Sequence, residues 1–168
     1  MERTFQVLNE IEAAGLVLRY AIGGAMGLMF YTEPLVTFDL DVFVFVPHSD
    51  SSVVTLAPIY DYLRERGCEA RHEHVMIGGT PVQFIVAYNS LIEEAVREAV
   101  DKSFKSIRVR VARLEHLLAI MLQTGRRKDH ARLAEVLDSV PVDEAVFSAV
   151  RRRHQLEGAW QEFRRRFA

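Results

Sequence analysis

The segment Thr37–Val46 combines an apolar strand pattern with two acidic residues. Because successive side chains of a strand point to opposite faces, one face would carry Phe38, Leu40, Val42, Val44 and Val46. The other face would carry Asp39, Asp41, Phe43 and Phe45. A strand that is apolar on both faces is typical of a central strand covered on both sides. The segment therefore predicts the middle of a sheet, with two carboxylates at its start.

The two carboxylates require compensation. Asp39 and Asp41 would lie on one face of the strand, about 7 Å apart, and burying two unpaired like charges costs free energy. A divalent cation is the simplest compensation, and oxygen ligands favour Mg²⁺ or Mn²⁺. The alternative is that both carboxylates cap backbone groups or form salt bridges where the strand begins.

Hydrophobic periodicity and turn residues predict an α/β (α+β) protein, in which helices pack on a mixed, mainly antiparallel sheet and a C-terminal helical tail follows. The predicted strands are residues 16–22, 37–46, 68–77, 80–87 and 106–111. The predicted helices are residues 3–14, 25–31, 56–66, 91–100, 113–123, 126–138, 142–153 and 155–166. Gly78-Gly79 predicts a hairpin turn, and Ser90 with Glu93 has the spacing of a capping box. We assign residues 1–111 to the core and residues 112–168 to a helical region packed on it.

Composition favours a folded cytoplasmic protein. The chain is 49% hydrophobic and 26% charged, which is typical of globular domains. Its apolar runs are too short to span a bilayer, and its N-terminal residues lack a signal-peptide pattern. Its one cysteine, Cys68, suits a reducing compartment. The arginine runs at residues 151–153 and 164–166 favour a solvated or partner-facing surface over nucleic-acid binding.

A diglycine, Gly23-Gly24, lies between the first predicted strand and a short helix. Glycines lack a Cβ and let the backbone approach a ligand closely, and the N–H groups at a helix N-terminus attract phosphate. Two carboxylates on the neighbouring strand are close enough to bind adjacent metal ions. Together these features predict a site for a nucleotide and its metal ions, whereas the diglycine by itself would indicate a tight turn.

Ile22-Gly23-Gly24, followed by Asp39-Leu40-Asp41, resembles the signature of the DNA polymerase β-like nucleotidyltransferase superfamily. The sequence is more similar to small prokaryotic nucleotidyltransferase-fold proteins, including the abortive-infection type toxins. Residues 81–85 resemble the later core strand of such proteins, and residues 115–129 resemble the helical segment that follows their core. The resemblance extends over about residues 16–137.

The resemblance implies a function. Gly23 and Gly24 would contact the triphosphate of an incoming nucleoside triphosphate (NTP), and Asp39 and Asp41 would be catalytic residues that bind Mg²⁺. A hydroxyl group of a protein, an RNA or a small molecule would attack the α-phosphate in line, and pyrophosphate would leave. Positioning and electrostatic stabilisation would supply most of the rate.

Gln83 departs from the pattern of the active members of this superfamily, which carry a third carboxylate at the matching position. An amide carries no charge and cannot act as a base. Three explanations stay open: Glu69, Glu73 or Asp129 replaces the carboxylate, one metal ion suffices, or the chain binds a nucleotide without transferring it. A chain that binds a nucleotide without transferring it would be a regulatory module, such as one partner of a toxin–antitoxin-like pair.

Thr37 and Lys128 are two further candidates for nucleotide contact, and Gln83 is a third. The alternative role of Thr37 is to end a turn. Lys128 offers a positive charge to phosphate, and its alternative is a helix-surface lysine beside Asp129. These three residues complete the predicted nucleotide site.

Overall fold

A computed structural model describes residues 1–32, 37, 39–47 and 54–167. Its helices are Glu2–Ala13 (α1), Gly24–Leu28 (α2), Ala57–Glu65 (α3), Ser90–Arg97 (α4), Leu114–Thr124 (α5), Arg127–Ser139 (α6), Glu144–Arg153 (α7) and Glu157–Phe167 (α8). Its strands are Arg19–Ile22 (β1), Leu40–Phe45 (β2), Glu69–Arg71 (β3), His74–Ile77 (β4), Thr80–Val86 (β5), Val100–Phe104 (β6) and Ile107–Val111 (β7). Phe38, which we predicted to lie in the acidic strand, falls outside the described residues. None of the described helices has the length and the apolar character needed to cross a membrane.

The described strands form one sheet in the order β3-β4-β5-β2-β1-β7-β6. The β2–β5 and β1–β7 pairings are parallel, and the other described pairings are antiparallel. The predicted fold class, a mixed and mainly antiparallel sheet with packed helices, is therefore confirmed. β2 lies near the middle of the sheet between β5 and β1, as its apolar pattern indicates.

Apolar side chains pack on both faces of the sheet. Leu40, Val42 and Val44 belong to a core that includes buried side chains of α1 and α3. Phe43 belongs to a second core on the opposite face, together with buried side chains of α4, α5 and the helices that follow. Because side chains alternate along a strand, Asp41 lies on the same face of β2 as Phe43. The acidic side of β2 thus faces the helices of the C-terminal half.

Two predicted elements of the middle of the chain are wrong in detail. The predicted strand 68–77 is two strands, because the chain reverses at His72, whose φ is +55°, and β3 pairs antiparallel with β4. The predicted helix 91–100 ends at Arg97, and Val100 begins β6. β6 pairs antiparallel with β7 at the edge of the sheet. The predicted hairpin at Gly78-Gly79 is confirmed, since it joins β4 to β5.

The start of α4 differs from the predicted capping box. Asn89 is the N-cap, and its Oδ1 accepts a hydrogen bond from the Ile92 N–H at 2.9 Å. Ser90 is the first helical residue. Asn89 also donates from Nδ2 to Gln123 Oε1 at 3.0 Å, which joins the start of α4 to the end of α5. Asparagine and serine are about equally good N-caps, so the sequence pattern selected the wrong one of two adjacent candidates.

We expect Asn89→Ala to lower the free energy of unfolding by about 1 kcal/mol, because the capping bond to the Ile92 N–H is lost. Ser90→Ala is the comparison variant: it leaves the Asn89 cap in place and removes one side-chain hydrogen bond, to His154 Nδ1, so we expect a smaller loss of about 0.5 kcal/mol. Urea unfolding followed by circular dichroism measures both values. A larger loss for Ser90→Ala than for Asn89→Ala would contradict the assignment of the cap.

Candidate functional site

Gly24 and Asp41 approach each other closely. A Cβ atom at Gly24 would lie 2.1 Å from Asp41 Oδ2, and the φ of Gly24, +55°, also favours glycine. A Cβ atom at Gly23 would lie 2.2 Å from the ring of Phe43. The Gly23 N–H donates to the Asp41 carbonyl oxygen at 2.9 Å. The diglycine therefore lets the start of α2 lie directly against the acidic side of β2.

A cavity of about 300 Å³ lies beside this contact. The predicted site residues that line it are Gly24, Asp39, Asp41, Gln83 and Lys128. The other residues that line it are Ala25, Phe43, Ile85, Tyr88, Ile92, Leu117, Ile120, Met121, Thr124, Arg126, Asp129 and Arg132. The wall thus combines carboxylates, cationic side chains and apolar side chains.

Gly23 and Thr37 are the two predicted site residues that lie outside the wall of this cavity. Thr37 contacts the site indirectly, because its hydroxyl donates to Asp39 Oδ1 at 3.0 Å. Asp39 is exposed and lies immediately before β2. Thr37 therefore orients Asp39, a role that the sequence did not suggest.

The charge of Asp41 is poorly compensated by the protein. Burial raises the pKa of Asp41 above its ordinary value, and the neighbouring Asp39 carboxylate raises it further. Arg126 and Lys128 act in the opposite direction, but the pKa stays raised. A bound cation would stabilise the ionised form of such a carboxylate, so the electrostatics of Asp41 favour a metal ion.

Asp129 is buried at the start of α6 and holds Arg126. Arg126 Nε donates to Asp129 Oδ2 at 2.5 Å, and the Thr124 hydroxyl donates to the same oxygen at 3.0 Å. The hydrogen bond to Asp129 raises the pKa of Arg126. Asp129 is therefore already engaged with a cation, which makes it a poor replacement for the missing third carboxylate.

Gln83 lies beside Asp41 in the sheet. β5 pairs with β2 in parallel, and Gln83 is the register partner of Asp41. Glu69 on β3 and Glu73 in the following turn are exposed and do not line the cavity. Within the described part of the chain, no carboxylate other than those of Asp39, Asp41 and Asp129 lines this cavity.

Comparison with solved structures supports the architecture. An antigenic nucleotidyltransferase-like protein from Paracoccidioides brasiliensis matches with a TM-score of 0.54 at 14% identity, over 94% of this chain and 89% of that protein. The chain has the nucleotidyltransferase fold. At this level of identity the likeness concerns the fold alone. ANT(2")-Ia in complex with adenylyl-2"-tobramycin matches over 96% of this chain and 95% of that protein at 13% identity, but its TM-score of 0.48 is too low to support an argument. No protein-family model matches the sequence, and no curated protein does either.

Arg126, Arg132 and Tyr88 were not identified from the sequence as residues of this cavity. Arg126 and Arg132 flank Lys128 along the start of α6, and Tyr88 follows β5. Arg126 and Arg132 lie six residues apart, and the predicted candidate Lys128 lies between them. The cluster of basic residues at the start of the predicted helix 126–138 was the available signal, since cations beside a carboxylate pair suit a polyanionic ligand.

We expect Asp41→Asn to raise the melting temperature at about pH 7 by a few degrees. An acid whose pKa is raised by folding is less easily ionised in the folded state, so its charge costs stability at neutral pH. This cost fades as the pH falls through the raised pKa, and the advantage of the variant should shrink there. Differential scanning fluorimetry with and without Mg²⁺ makes the comparison.

Asp138→Asn is the matched control, because Asp138 is an exposed aspartate of α6 outside the cavity. Added Mg²⁺ should raise the melting temperature of the wild type and of Asp138→Asn but not of Asp41→Asn. An Asp41→Asn variant that melts below the wild type at neutral pH would contradict the electrostatic description of the site.

Proposed function

We propose that the chain binds an NTP in the cavity beside Asp41 and transfers its nucleoside monophosphate to a hydroxyl acceptor. The observation that carries this proposal is the contact between Asp41 and Gly24 on the wall of a cavity that also contains Arg126 and Lys128. A carboxylate with a raised pKa, a glycine without a Cβ and two cations suit a metal-bound polyphosphate. The acceptor is a protein side chain, an RNA end or a small molecule.

Asp39 and Asp41 would hold the divalent cation, Mg²⁺ or Mn²⁺. Both carboxylates are hard oxygen ligands, and burial together with Asp39 raises the pKa of Asp41, which a cation would reverse. When bound, the ion supplies charge stabilisation at the phosphate oxygens. The residues present therefore fit a divalent cation.

Arg126 and Lys128 would bind the phosphates. Asp129 fixes the Arg126 side chain through the bond at 2.5 Å, so little conformational entropy is lost when the guanidinium binds an anion. The apolar part of the wall, which includes Tyr88 and Ile120, would contact the base or the acceptor. These contacts would orient the acceptor hydroxyl toward the α-phosphate.

Gln83 supports a second candidate function, namely nucleotide binding without transfer. The register partner of Asp41 is a neutral amide, and Asp129 is engaged with Arg126. The base would then have to be a water molecule or the substrate itself. A chain that binds but does not transfer would serve as a regulatory module, such as one protein of a toxin–antitoxin-like pair. In either case we propose a cytoplasmic location, which the single cysteine, Cys68, supports.

We expect Asp39→Asn and Asp41→Asn to abolish transfer of label from α-labelled NTPs, because each removes a metal ligand. The assay incubates the chain and Mg²⁺ with each of the common NTPs, and it measures label on the chain itself, on RNA and on small hydroxyl compounds. Glu69→Gln is the control, because Glu69 is an exposed acid outside the cavity. Unchanged labelling by Asp41→Asn would refute the assignment.

Gln83→Asp separates the two candidate functions. A third carboxylate would supply a base and a metal ligand, so we expect turnover to rise about tenfold or more. Measurable wild-type turnover that rises in the variant supports transfer. Nucleotide binding by calorimetry without wild-type turnover, followed by turnover in the variant, supports the binding module. Gln161→Asp adds the same charge at an exposed position of α8 and should change neither property.

A further inference from the structure

A buried carboxylate outside the cavity is surrounded by two histidines and an arginine. Glu94 of α4 is 7% exposed. Its Oε1 lies 3.1 Å from His116 Nε2, and its Oε2 lies 2.8 Å from His154 Nε2. Arg153 also donates to Glu94 Oε1. These four residues join α4, α5 and the end of α7, and they do not line the cavity beside Asp41.

Glu94 is an anion at neutral pH. Desolvation would raise its pKa, but the hydrogen bonds from His154 and His116 and the charge of Arg153 hold the pKa below its ordinary value. Glu94, Glu98 and His116 have ligand atoms within 4.8 Å of one another, a spacing that would also suit a metal ion. Arg153 already supplies the positive charge, so the carboxylate is compensated by the chain itself and is available to orient His154.

Ser90 contacts the other nitrogen of the His154 ring. Ser90 Oγ lies 3.2 Å from His154 Nδ1. Because the Glu94 carboxylate can only accept, the hydrogen of neutral His154 lies on Nε2, and Nδ1 presents its lone pair to the Ser90 hydroxyl. Ser90 is exposed, whereas the His154 side chain is 5% exposed. A solvent-accessible hydroxyl thus donates to a shielded imidazole that a carboxylate holds in place.

We propose that Ser90, His154 and Glu94 form a nucleophilic serine site that accepts acyl groups from uncharged carboxylic esters. Ser90 Oγ bonds to the carbonyl carbon while His154 Nδ1 takes the hydroxyl proton. The bond to the leaving alcohol then breaks, and the alcohol takes that proton. A water molecule releases the acid by the same route and restores Ser90. The contacts run from hydroxyl to imidazole to carboxylate in the order that activates a serine, although the two ring nitrogens are exchanged relative to the Ser-His-Asp triad.

The start of α4 supports this site. Ser90 is the first residue of the helix, and the first N–H groups of a helix have no acceptor within it. The N–H groups of Ser90 and Leu91 belong to this turn, and in the proposed step they would be the donors to the oxyanion. Tyr88 is 67% exposed and precedes Ser90 by two residues, which gives an aromatic surface for an uncharged ester. Tyr88 also lines the cavity beside Asp41, but the three residues of the serine site do not, so the assignment of the nucleophile does not depend on the function proposed above.

The test uses the whole chain and a fluorophosphonate probe, which forms a phosphorus–oxygen bond to an activated serine and releases fluoride. Mass spectrometry of peptides measures the rate at each serine. We expect Ser90 to react about 100-fold or more faster than Ser139. Ser139 is an exposed serine whose hydroxyl donates to the Glu135 carbonyl at 2.6 Å. Equal rates at the two serines would overturn the proposal without any variant.

Variants then identify the base. Ser90→Ala should lose the fast labelling, and His154→Gln should lower the rate about tenfold or more. His116→Gln is the matched control, because it removes a histidine from the same carboxylate but leaves the one that contacts Ser90. Each rate is measured well below the melting temperature of that variant. A His154→Gln rate equal to wild type, or an equal loss in His116→Gln, would overturn the assignment.

Two further measurements define the chemistry. p-Nitrophenyl acetate should leave an acetyl group on Ser90, and failure to acetylate Ser90 would overturn the ester as the substrate class. Labelling should be unchanged by EDTA. Loss of labelling in EDTA would assign the cluster around Glu94 to a metal ion and would overturn the serine mechanism.

Discussion

The close approach of the Asp41 carboxylate to Gly24 is the constraint on which the site depends. The Gly23 N–H, which donates to the Asp41 carbonyl oxygen, joins the start of α2 to β2. A side chain at position 24 is disfavoured, because its Cβ would lie 2.1 Å from Asp41 Oδ2 and the φ of Gly24 is +55°. β2 lies between β5 and β1, and its apolar side chains pack on both faces of the sheet. The same strand carries the carboxylate of Asp41. Fold stability and the placement of the acidic group therefore depend on the same six residues of β2.

The cations of the cavity come from another part of the chain. Arg126 and Lys128 lie at the start of α6, whereas Asp41 and Gln83 lie in the sheet. The cavity therefore needs both the residues that we assigned to the core and those that we assigned to the helical region. A core segment without the helical region would retain the acidic pair and His74 but lose Arg126 and Lys128, which also oppose the charge of Asp41.

Local patterns in the sequence predicted much of the fold. The alternation of β2, the hairpin at Gly78-Gly79 and the helices after residue 112 are confirmed because each depends on neighbouring residues. β6 was missed because polar residues occupy its middle and its pairing with β7 gives it a strand conformation at the sheet edge. The cap of α4 was assigned to Ser90 because two good capping residues are adjacent, and the backbone geometry that chooses Asn89 is not visible in the sequence.

The candidate site was predicted best where its residues lie close together in the sequence. Gly24, Asp39 and Asp41, which line the cavity, were predicted because the diglycine and the acidic pair each have short and regular spacing. Arg126 and Tyr88 were not found, because tertiary folding brings them to the cavity from separate elements. Asp129 was one of three residues that the sequence offered as a replacement for the third carboxylate, whereas in the structure it pairs with Arg126, three residues earlier.

Asp41 and Glu94 show two electrostatic outcomes for a desolvated carboxylate in the same fold. Asp41 lies on β2 and Glu94 lies on α4, and both carboxylates are desolvated. The pKa of Asp41 is nevertheless raised, whereas that of Glu94 is lowered. Glu94 receives hydrogen bonds from His116 and His154, whereas the nearest charge to raise the pKa of Asp41 is another carboxylate, Asp39. Burying an ionised carboxylate without a positive charge or hydrogen-bond donors beside it lowers the stability of the fold. Under the proposed function, a cationic ligand that binds Asp41 would recover in the complex the stability that the unliganded fold loses by ionising this carboxylate.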